Sequence, residues 1–120
     1  MDLRAEAGML APPSIMETAS SRAVILGDAA ASNDVPRLRE LSARPSMNVN
    51  SADYDARTAL HVAASEGSLE AVAFLVAEAK AELDPVDRFG STPLDDAERA
   101  ERAAVARFLQ SRGARRGADL

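Results

Sequence analysis

A period of 34 residues recurs along this chain and constrains its fold more than any other feature. Identical residues recur 34 positions apart: Asp53 and Asp87, Thr58 and Thr92, Leu60 and Leu94, Ala63 and Ala97, Phe74 and Phe108, and Leu75 and Leu109. The same offset carried backwards places Leu60 on Leu26 and Ala63 on Ala29. A chain of 120 residues that repeats a unit in this way is predicted to stack similar units side by side.

Each unit is predicted to contain two short helices. Hydrophobic residues make up 47% of the chain and aromatic residues only 3%, so alanine, which favours helices, supplies much of the apolar content. In the second unit Thr58 is a predicted N-cap, and Gly67 ends the first helix because glycine readily adopts a positive φ. In the third unit Thr92 precedes Pro93, which suits the first helical position. The predicted fold class is all-α, with about three helix-turn-helix units and short β-hairpin loops.

The second unit, DYDARTALHVAASEG, resembles the ankyrin repeat motif D-x-x-G-x-T-P-L-H-x-A-A-x-x-G. It has Ala56 where glycine is usual and Ala59 where proline is usual. The third unit, DRFGSTPLDDA, keeps much of the motif but has Asp95 in place of histidine. The resemblance implies an ankyrin-repeat solenoid over residues 21–114, with units at about 21–52, 53–86 and 87–114. Residues 1–20 and 115–120 are expected to be mobile, with a helical turn or two at residues 3–10.

Two units depart from the motif where the helix–helix turn needs a residue with positive φ. Asn33 occupies this position in the first unit, and asparagine tolerates left-handed geometry better than most residues. Glu101 occupies it in the third unit, where a left-handed conformation costs on the order of 1 kcal/mol relative to glycine. Since at least about three repeats are needed for a stable stack, we expect marginal stability and fraying of the third unit.

His61 is the only histidine, and the chain has no cysteine. A catalytic role would require a nucleophile or an orienting carboxylate within reach, and Thr58 is a poor nucleophile. The family resemblance implies instead that His61 hydrogen-bonds loop backbone and links neighbouring units. Adjacent Asp95 and Asp96 are interpreted as a solvated helix start, and the arginine pair 115–116 is a weak signal for phosphate. We therefore expect no enzyme activity, no metal site and no cofactor.

The resemblance also implies that a protein partner binds the concave face, which hairpin tips and the first helix of each unit form. The positions that the motif leaves free there are Tyr54, Asp55, Arg57, Ser65, Glu66, Arg88, Phe89, Ser91 and Arg99. The residues that are predicted to maintain the structural motif are Thr58, His61, Gly67, Thr92 and Pro93. Phe74 and Phe108 are predicted core residues, whereas Tyr54 and Phe89 are predicted at hairpin tips, where an exposed aromatic beside arginine suits an interface. Phe89 could alternatively pack onto its neighbouring unit.

Charge and hydropathy exclude other classes of partner. The formal charge of −5 disfavours sequence-independent nucleic-acid binding, and no segment has the roughly 20 apolar residues of a membrane span. The first residues do not form an export signal, so we expect a cytoplasmic monomer, with the nucleus as the alternative location. The identity of the partner stays open.

A narrower resemblance concerns residues 53–97. They are similar to the ankyrin segments of glutaminases and of plant and algal integrin-linked-kinase-like proteins. Neither a kinase glycine-rich loop nor a β-lactamase-like serine–lysine motif occurs in these 120 residues. Three functions are therefore compared: a freestanding interaction module, a regulatory or docking module of a larger enzyme, and a small hydrolase or ligand-binding protein. The last is the least favoured.

Overall fold

Six α-helices form three successive pairs in the computed structural model, which describes residues 18–120. The pairs are α1 (Ala19–Ala31) with α2 (Val35–Ser42), α3 (Ala59–Glu66) with α4 (Leu69–Ala73), and α5 (Pro93–Arg99) with α6 (Ala103–Ser111). Helix α4 continues as a π-helical segment, Phe74–Glu78, and a 3₁₀ turn, Gly117–Asp119, follows α6. The predicted all-α stack of three helix-turn-helix units is confirmed. The prediction for residues 1–20 lies almost entirely outside the described residues, and residues 19–20 belong to α1.

The core repeats with the units. The first helices α1, α3 and α5 lie side by side, and so do the second helices α4 and α6. Leu26, Leu60 and Leu94 occupy the same position of the three first helices and are fully or almost fully buried. Phe74 is buried and Phe108 is partly buried against the same core. Since many core positions carry alanine, the helices approach closely and the stack stays thin.

The helix–helix turns use the same backbone conformation in all three units. Asn33, Gly67 and Glu101 have φ values of 58°, 75° and 59°, so each lies in the left-handed region. The conformation expected of Asn33 and Glu101 is therefore observed. The side chain of Asn33 has a second role, because its Oδ1 accepts a hydrogen bond from the backbone N–H of Ala71 at 2.9 Å. This bond ties the first turn to the second unit.

The π-helical segment absorbs one extra residue in the second unit. The N–H of Ala79 donates to the carbonyl of Phe74 at 2.9 Å, a wider turn than in an α-helix. Lys80 follows with a φ of 58°, and its counterpart in the third unit is Gly113, with a φ of 90°. Lys80 and Gly113 are 33 residues apart, whereas Phe74 and Phe108 are 34 residues apart. The second unit therefore has one more residue between these two positions than the third unit has. The wide π-helical turn accommodates this residue, so that Lys80 and Gly113 keep equivalent places in the stack.

No helix within residues 18–120 is long and apolar enough to cross a membrane.

Candidate functional site

The hairpin between the first and second units is built around one aspartate. Asp53 Oδ1 accepts hydrogen bonds from the backbone N–H groups of Asp55, at 2.8 Å, and Arg57, at 3.0 Å. The N–H of Asp53 donates to the carbonyl of Arg57, and an isolated antiparallel bridge joins residues 52 and 58. Ala56 has a φ of 61° at the place where the motif has glycine. Aspartate suits this turn because its short side chain bonds backbone two residues further on.

The next hairpin repeats this arrangement. Asp87 Oδ1 accepts hydrogen bonds from the N–H groups of Phe89 and Ser91, both at 2.9 Å, and Gly90 has a φ of 84°. Burial opposes ionisation of Asp87, but these two N–H donors and Arg57 outweigh that effect and lower the pKa of its carboxyl group. Each hairpin therefore holds its tip in a fixed conformation.

The tips of the two hairpins carry the exposed aromatic residues and are linked to each other. Tyr54 is 92% exposed and Phe89 is 67% exposed. The guanidinium of Arg88 lies 5.3 Å from the centre of the Phe89 ring, and its Nη1 lies 3.2 Å from Asp55 Oδ1. The N–H of Arg88 also donates to the carbonyl of Asp55 at 2.9 Å. Phe89 thus projects from the surface and is not packed down onto its neighbour.

The structure corrects the predicted role of Arg57. Its Nη1 lies 2.6 Å from Asp87 Oδ2 and its Nη2 lies 2.7 Å from Asp96 Oδ2. Only 23% of the Arg57 side chain is exposed, and the two carboxylates are 1% exposed. Burial works against the charge of Arg57, but these two acidic partners outweigh it and raise the pKa of the guanidinium. Arg57 therefore joins the second unit to the third and is not an exposed contact for a partner.

Asp96 was predicted to lie in a solvated helix start, but the structure buries its side chain. Besides Arg57, it binds Arg99, whose Nη1 lies 3.0 Å from Asp96 Oδ1. Arg99 Nη2 donates to Ser91 Oγ at 2.7 Å. Ser91 is buried, so of the predicted contacts in this unit Arg88, Phe89 and Arg99 reach the surface. No local pattern in the sequence distinguished Asp96 from Asp95, since its partner Arg57 lies 39 residues away.

The remaining predicted contacts lie at the end of α3. Glu66 is exposed. Ser65 is half-buried, and its hydroxyl donates to the carbonyl of Val62 at 3.0 Å. The Ser65 carbonyl accepts a hydrogen bond from Arg102 Nε at 3.1 Å. Glu66 is therefore the more accessible of the two.

His61 is completely buried and joins the second unit to the next hairpin. Its Nδ1 accepts a hydrogen bond from the N–H of Thr58 at 3.1 Å, so the proton is on Nε2, which donates to the carbonyl of Ser91 at 2.9 Å. Burial disfavours the imidazolium form and lowers the pKa of His61. Both ring nitrogens are engaged with backbone, so neither is directed at a substrate.

Ligand atoms of His61, Asp87 and Asp96 lie within 4.8 Å of one another, a spacing that could suit a metal ion. The positive charge between the two carboxylates is the guanidinium of Arg57. His61 Nε2 points its proton at a backbone carbonyl and has no lone pair to offer. The cation that the two carboxylates face is therefore Arg57, and the arrangement is an ion-pair network that joins adjacent repeats.

Residues 115–117 belong to the segment predicted to be mobile, and in the structure they are hydrogen-bonded to the third unit. Thr92 Oγ1 donates to the carbonyl of Arg115 at 2.8 Å, and the N–H of Gly117 donates to Asp95 Oδ2 at 2.8 Å. The guanidinium of Arg116 lies 2.6 Å from Glu98 Oε2. The two arginines considered as phosphate contacts are therefore paired with carboxylates of the chain.

The comparisons with known proteins agree with this geometry. The family profile described as "Ankyrin repeats (3 copies)" matches residues 26–119. The mouse "Glutaminase liver isoform, mitochondrial" is 46% identical over 82 residues, which cover 68% of this chain and 14% of that protein. "Serine/threonine-protein kinase 12" of Arabidopsis thaliana is 43% identical over 82 residues, which cover 68% of this chain and 17% of that protein. The chain thus spans about one seventh of the length of curated relatives such as this glutaminase.

A solved structure shares the fold. It is the "Bd0816 Predatory Endopeptidase from Bdellovibrio bacteriovorus in complex with immunity protein Bd3460", with a TM-score of 0.70 and 30% sequence identity. The match covers 75% of this chain and 46% of the matched chain.

Proposed function

The chain belongs to the ankyrin repeat family, and we propose that it is a non-catalytic module that binds a protein partner through its hairpin tips and concave helix face. Repeats of this family are generally protein-interaction modules. The observation that carries the proposal for this chain is the pair of exposed aromatic side chains, Tyr54 and Phe89, on adjacent hairpin tips. Aromatic residues and arginine dominate the energetics of many protein interfaces.

The tips are ordered before any partner arrives, which favours binding. The Asp53 and Asp87 side chains fix the two turns, and the hydrogen bond from Arg88 to Asp55 connects them. Association loses less conformational entropy when the contacting groups are already held in place. The surface therefore offers large apolar rings on a stiff frame.

The contacts that we propose are those predicted residues whose side chains are accessible. These are Tyr54, Asp55, Glu66, Arg88, Phe89 and Arg99. Arg57 and Ser91 lie beneath them and support the tips through the buried network. Variants that test binding should therefore leave Arg57 and Ser91 unchanged, because their loss would weaken the stack itself.

A photo-crosslinking experiment tests the proposal directly. Tyr54 is replaced by a benzophenone-bearing phenylalanine analogue, which an almost fully exposed site accepts without disturbing the core. The full chain is then irradiated in lysate of its source, and crosslinked proteins are identified by mass spectrometry. The matched control carries the same analogue in place of Glu40, whose side chain is 69% exposed on α2, a second helix that belongs neither to the hairpin tips nor to the concave face.

We expect a protein that is crosslinked from position 54 and not from position 40. Changing Phe89 to serine in the same chain should abolish that crosslink, while circular dichroism shows an unchanged fold. Equal crosslinking from both positions, or a crosslink that survives the Phe89 change, would place binding elsewhere on the molecule.

A second candidate function is a regulatory or docking module of a larger enzyme. The observation that favours it is the 46% identity with a segment that makes up 14% of a glutaminase. An immunoblot of the source cells separates the two candidates. A band near 12.6 kDa, the mass of this chain, supports the freestanding module, and a much larger band that contains this sequence supports the enzyme module.

A further inference from the structure

Residues 115–119, here called the C-terminal strap, lie against the third unit, and the surface that they cover is here called the groove. The hydroxyl of Thr92 donates to the carbonyl of Arg115 at 2.8 Å, and Asp95 Oδ2 accepts from the N–H of Gly117 at 2.8 Å. Asp95 occupies the repeat position of His61. Whereas His61 holds a carbonyl of the next hairpin, Asp95 holds an amide of the strap. Burial opposes ionisation of Asp95, but the backbone N–H groups of Thr92 and Gly117, which both donate to its carboxylate, outweigh that effect and lower the pKa of its carboxyl group.

Two arginine side chains of the strap also form ion pairs with carboxylates of the repeats. Glu98 receives the guanidinium of Arg116 through two hydrogen bonds, of 2.7 and 2.6 Å, in the paired geometry that arginine forms with carboxylates. Asp84, on the loop before the third unit, accepts from the N–H of Arg115 at 2.9 Å and from its Nε at 3.3 Å. The repeats therefore contact the backbone of Arg115 and the side chains of both arginines.

The groove has no room for a side chain at the residue that follows the arginine pair. A Cβ atom added to Gly117 would overlap the backbone carbonyl of Gly90 and would lie 3.2 Å from Asp95 Oδ2. A backbone carbonyl cannot rotate away as a flexible side chain can. Glycine is therefore required at this point for the close approach of the two chains.

We infer that this groove is a binding site for an Arg-Arg-Gly peptide segment, and that the chain's own strap fills it. This site borders the second hairpin at Gly90 but does not include the exposed rings of Tyr54 and Phe89, and it goes beyond the function proposed above. Its ligand chemistry is a backbone carbonyl, two guanidinium groups and a glycine amide, each with a named partner on the third unit or on the loop before it. A released strap leaves the groove open to the same segment supplied by another molecule.

The first test measures release of the strap in the full chain by limited trypsin digestion. Changing Gly117 to alanine should speed cleavage after Arg115 and Arg116 by at least about tenfold, because cleavage follows the population of the open form. The matched control is Gly27→Ala, which adds the same methyl group where the nearest atom, Val62 Cγ2, lies at a comfortable 3.6 Å. It should be cleaved like the wild type. Equal cleavage of all three chains would overturn the inference.

A second variant, independent of steric overlap, covers the case in which the Gly117 variant does not fold. Glu98→Arg repels Arg116 and should release the strap, and the charge-reversed pair Glu98→Arg with Arg116→Glu should restore protection. Protection that does not return in the double variant, while both chains are folded, contradicts recognition of Arg116 by Glu98.

The second test supplies the segment from outside. A fluorescent peptide with the sequence of residues 112–120, RGARRGADL, is titrated against each full chain, and binding is followed by fluorescence anisotropy. We expect binding to the folded Gly117→Ala chain and little binding to the wild type, whose groove is occupied. A peptide that carries the same glycine-to-alanine change should not bind. Failure of the first peptide to bind the released chain, or equal binding of both peptides, would show that the groove is not a site for this segment.

Discussion

Loss of Arg57 should weaken the whole stack, because this side chain joins the second unit to two buried carboxylates of the third. The change Arg57→Met keeps most of the apolar length of the side chain and removes its charge. Asp87 then keeps the N–H donors of Phe89 and Ser91, and Asp96 keeps Arg99. The Oδ2 atoms of Asp87 and Asp96, which face Arg57, lose their cation, although both carboxylates lie in a site where they are only 1% exposed.

The expected cost is about 3 kcal/mol in the free energy of unfolding. Removing one partner of a buried ion pair costs roughly 3–5 kcal/mol, because it leaves an uncompensated buried charge. The lower end of this range applies here, since Arg57 is 23% exposed and both aspartates retain other donors.

Urea unfolding, followed by circular dichroism at pH 7, measures this cost. The matched control is Arg44→Met, which breaks the ion pair between Arg44 and Glu40, whose side chains are 46% and 69% exposed. Exposed pairs of this kind contribute at most about 1 kcal/mol, so the control should change stability little. A double-mutant cycle of Arg57→Met with Asp96→Asn should give a coupling energy of at least about 1 kcal/mol.

Equal destabilisation by the Arg57 and Arg44 variants would falsify the reasoning, because the buried network would then contribute no more than a surface pair. If the Arg57→Met chain is unfolded even without urea, Arg57→Lys provides the second measurement. Lysine keeps the charge but cannot bridge two carboxylates with a planar fork, so an intermediate loss of stability is expected.

Three further changes test other parts of the structure. Burial lowers the pKa of His61, so its imidazole binds a proton more readily in the unfolded chain than in the folded chain. The free energy of unfolding should therefore fall as pH drops below about 6.5, by at most about 1.4 kcal/mol per pH unit. A flat stability profile between pH 7.5 and 5 would contradict this. Gly27→Ala should stabilise the buried middle of α1 by about 0.5–1 kcal/mol in urea unfolding, and a loss would show that Val62 cannot accommodate the methyl group. Glu101→Gly should increase the free energy of unfolding by on the order of 1 kcal/mol and raise the urea midpoint, because glycine adopts a φ of 59° without strain. A lower midpoint would mean that the glutamate side chain stabilises the turn.

The repeat, the helix pairs and the turns of this protein could be predicted from its amino-acid sequence. Leu26, Leu60 and Leu94 could be assigned to the core because helical spacing and the 34-residue offset both mark them. The left-handed turns at Asn33 and Glu101 followed from their alignment with Gly67. These features depend on neighbours a few residues away or on identical positions of adjacent units, so a one-dimensional pattern contains them.

Which polar residues are exposed and which hold the repeats together depends on the tertiary structure. Tyr54 and Phe89 were predicted at the tips and are exposed there, but Arg57, predicted beside them, turns inward to carboxylates 30 and 39 residues away. The C-terminal strap was predicted to be mobile, yet Asp95 fixes it from 22 residues away. Stacking sets these pairings, because the direction of a side chain on a hairpin and the burial of its charge depend on the neighbouring unit, which the local sequence does not describe.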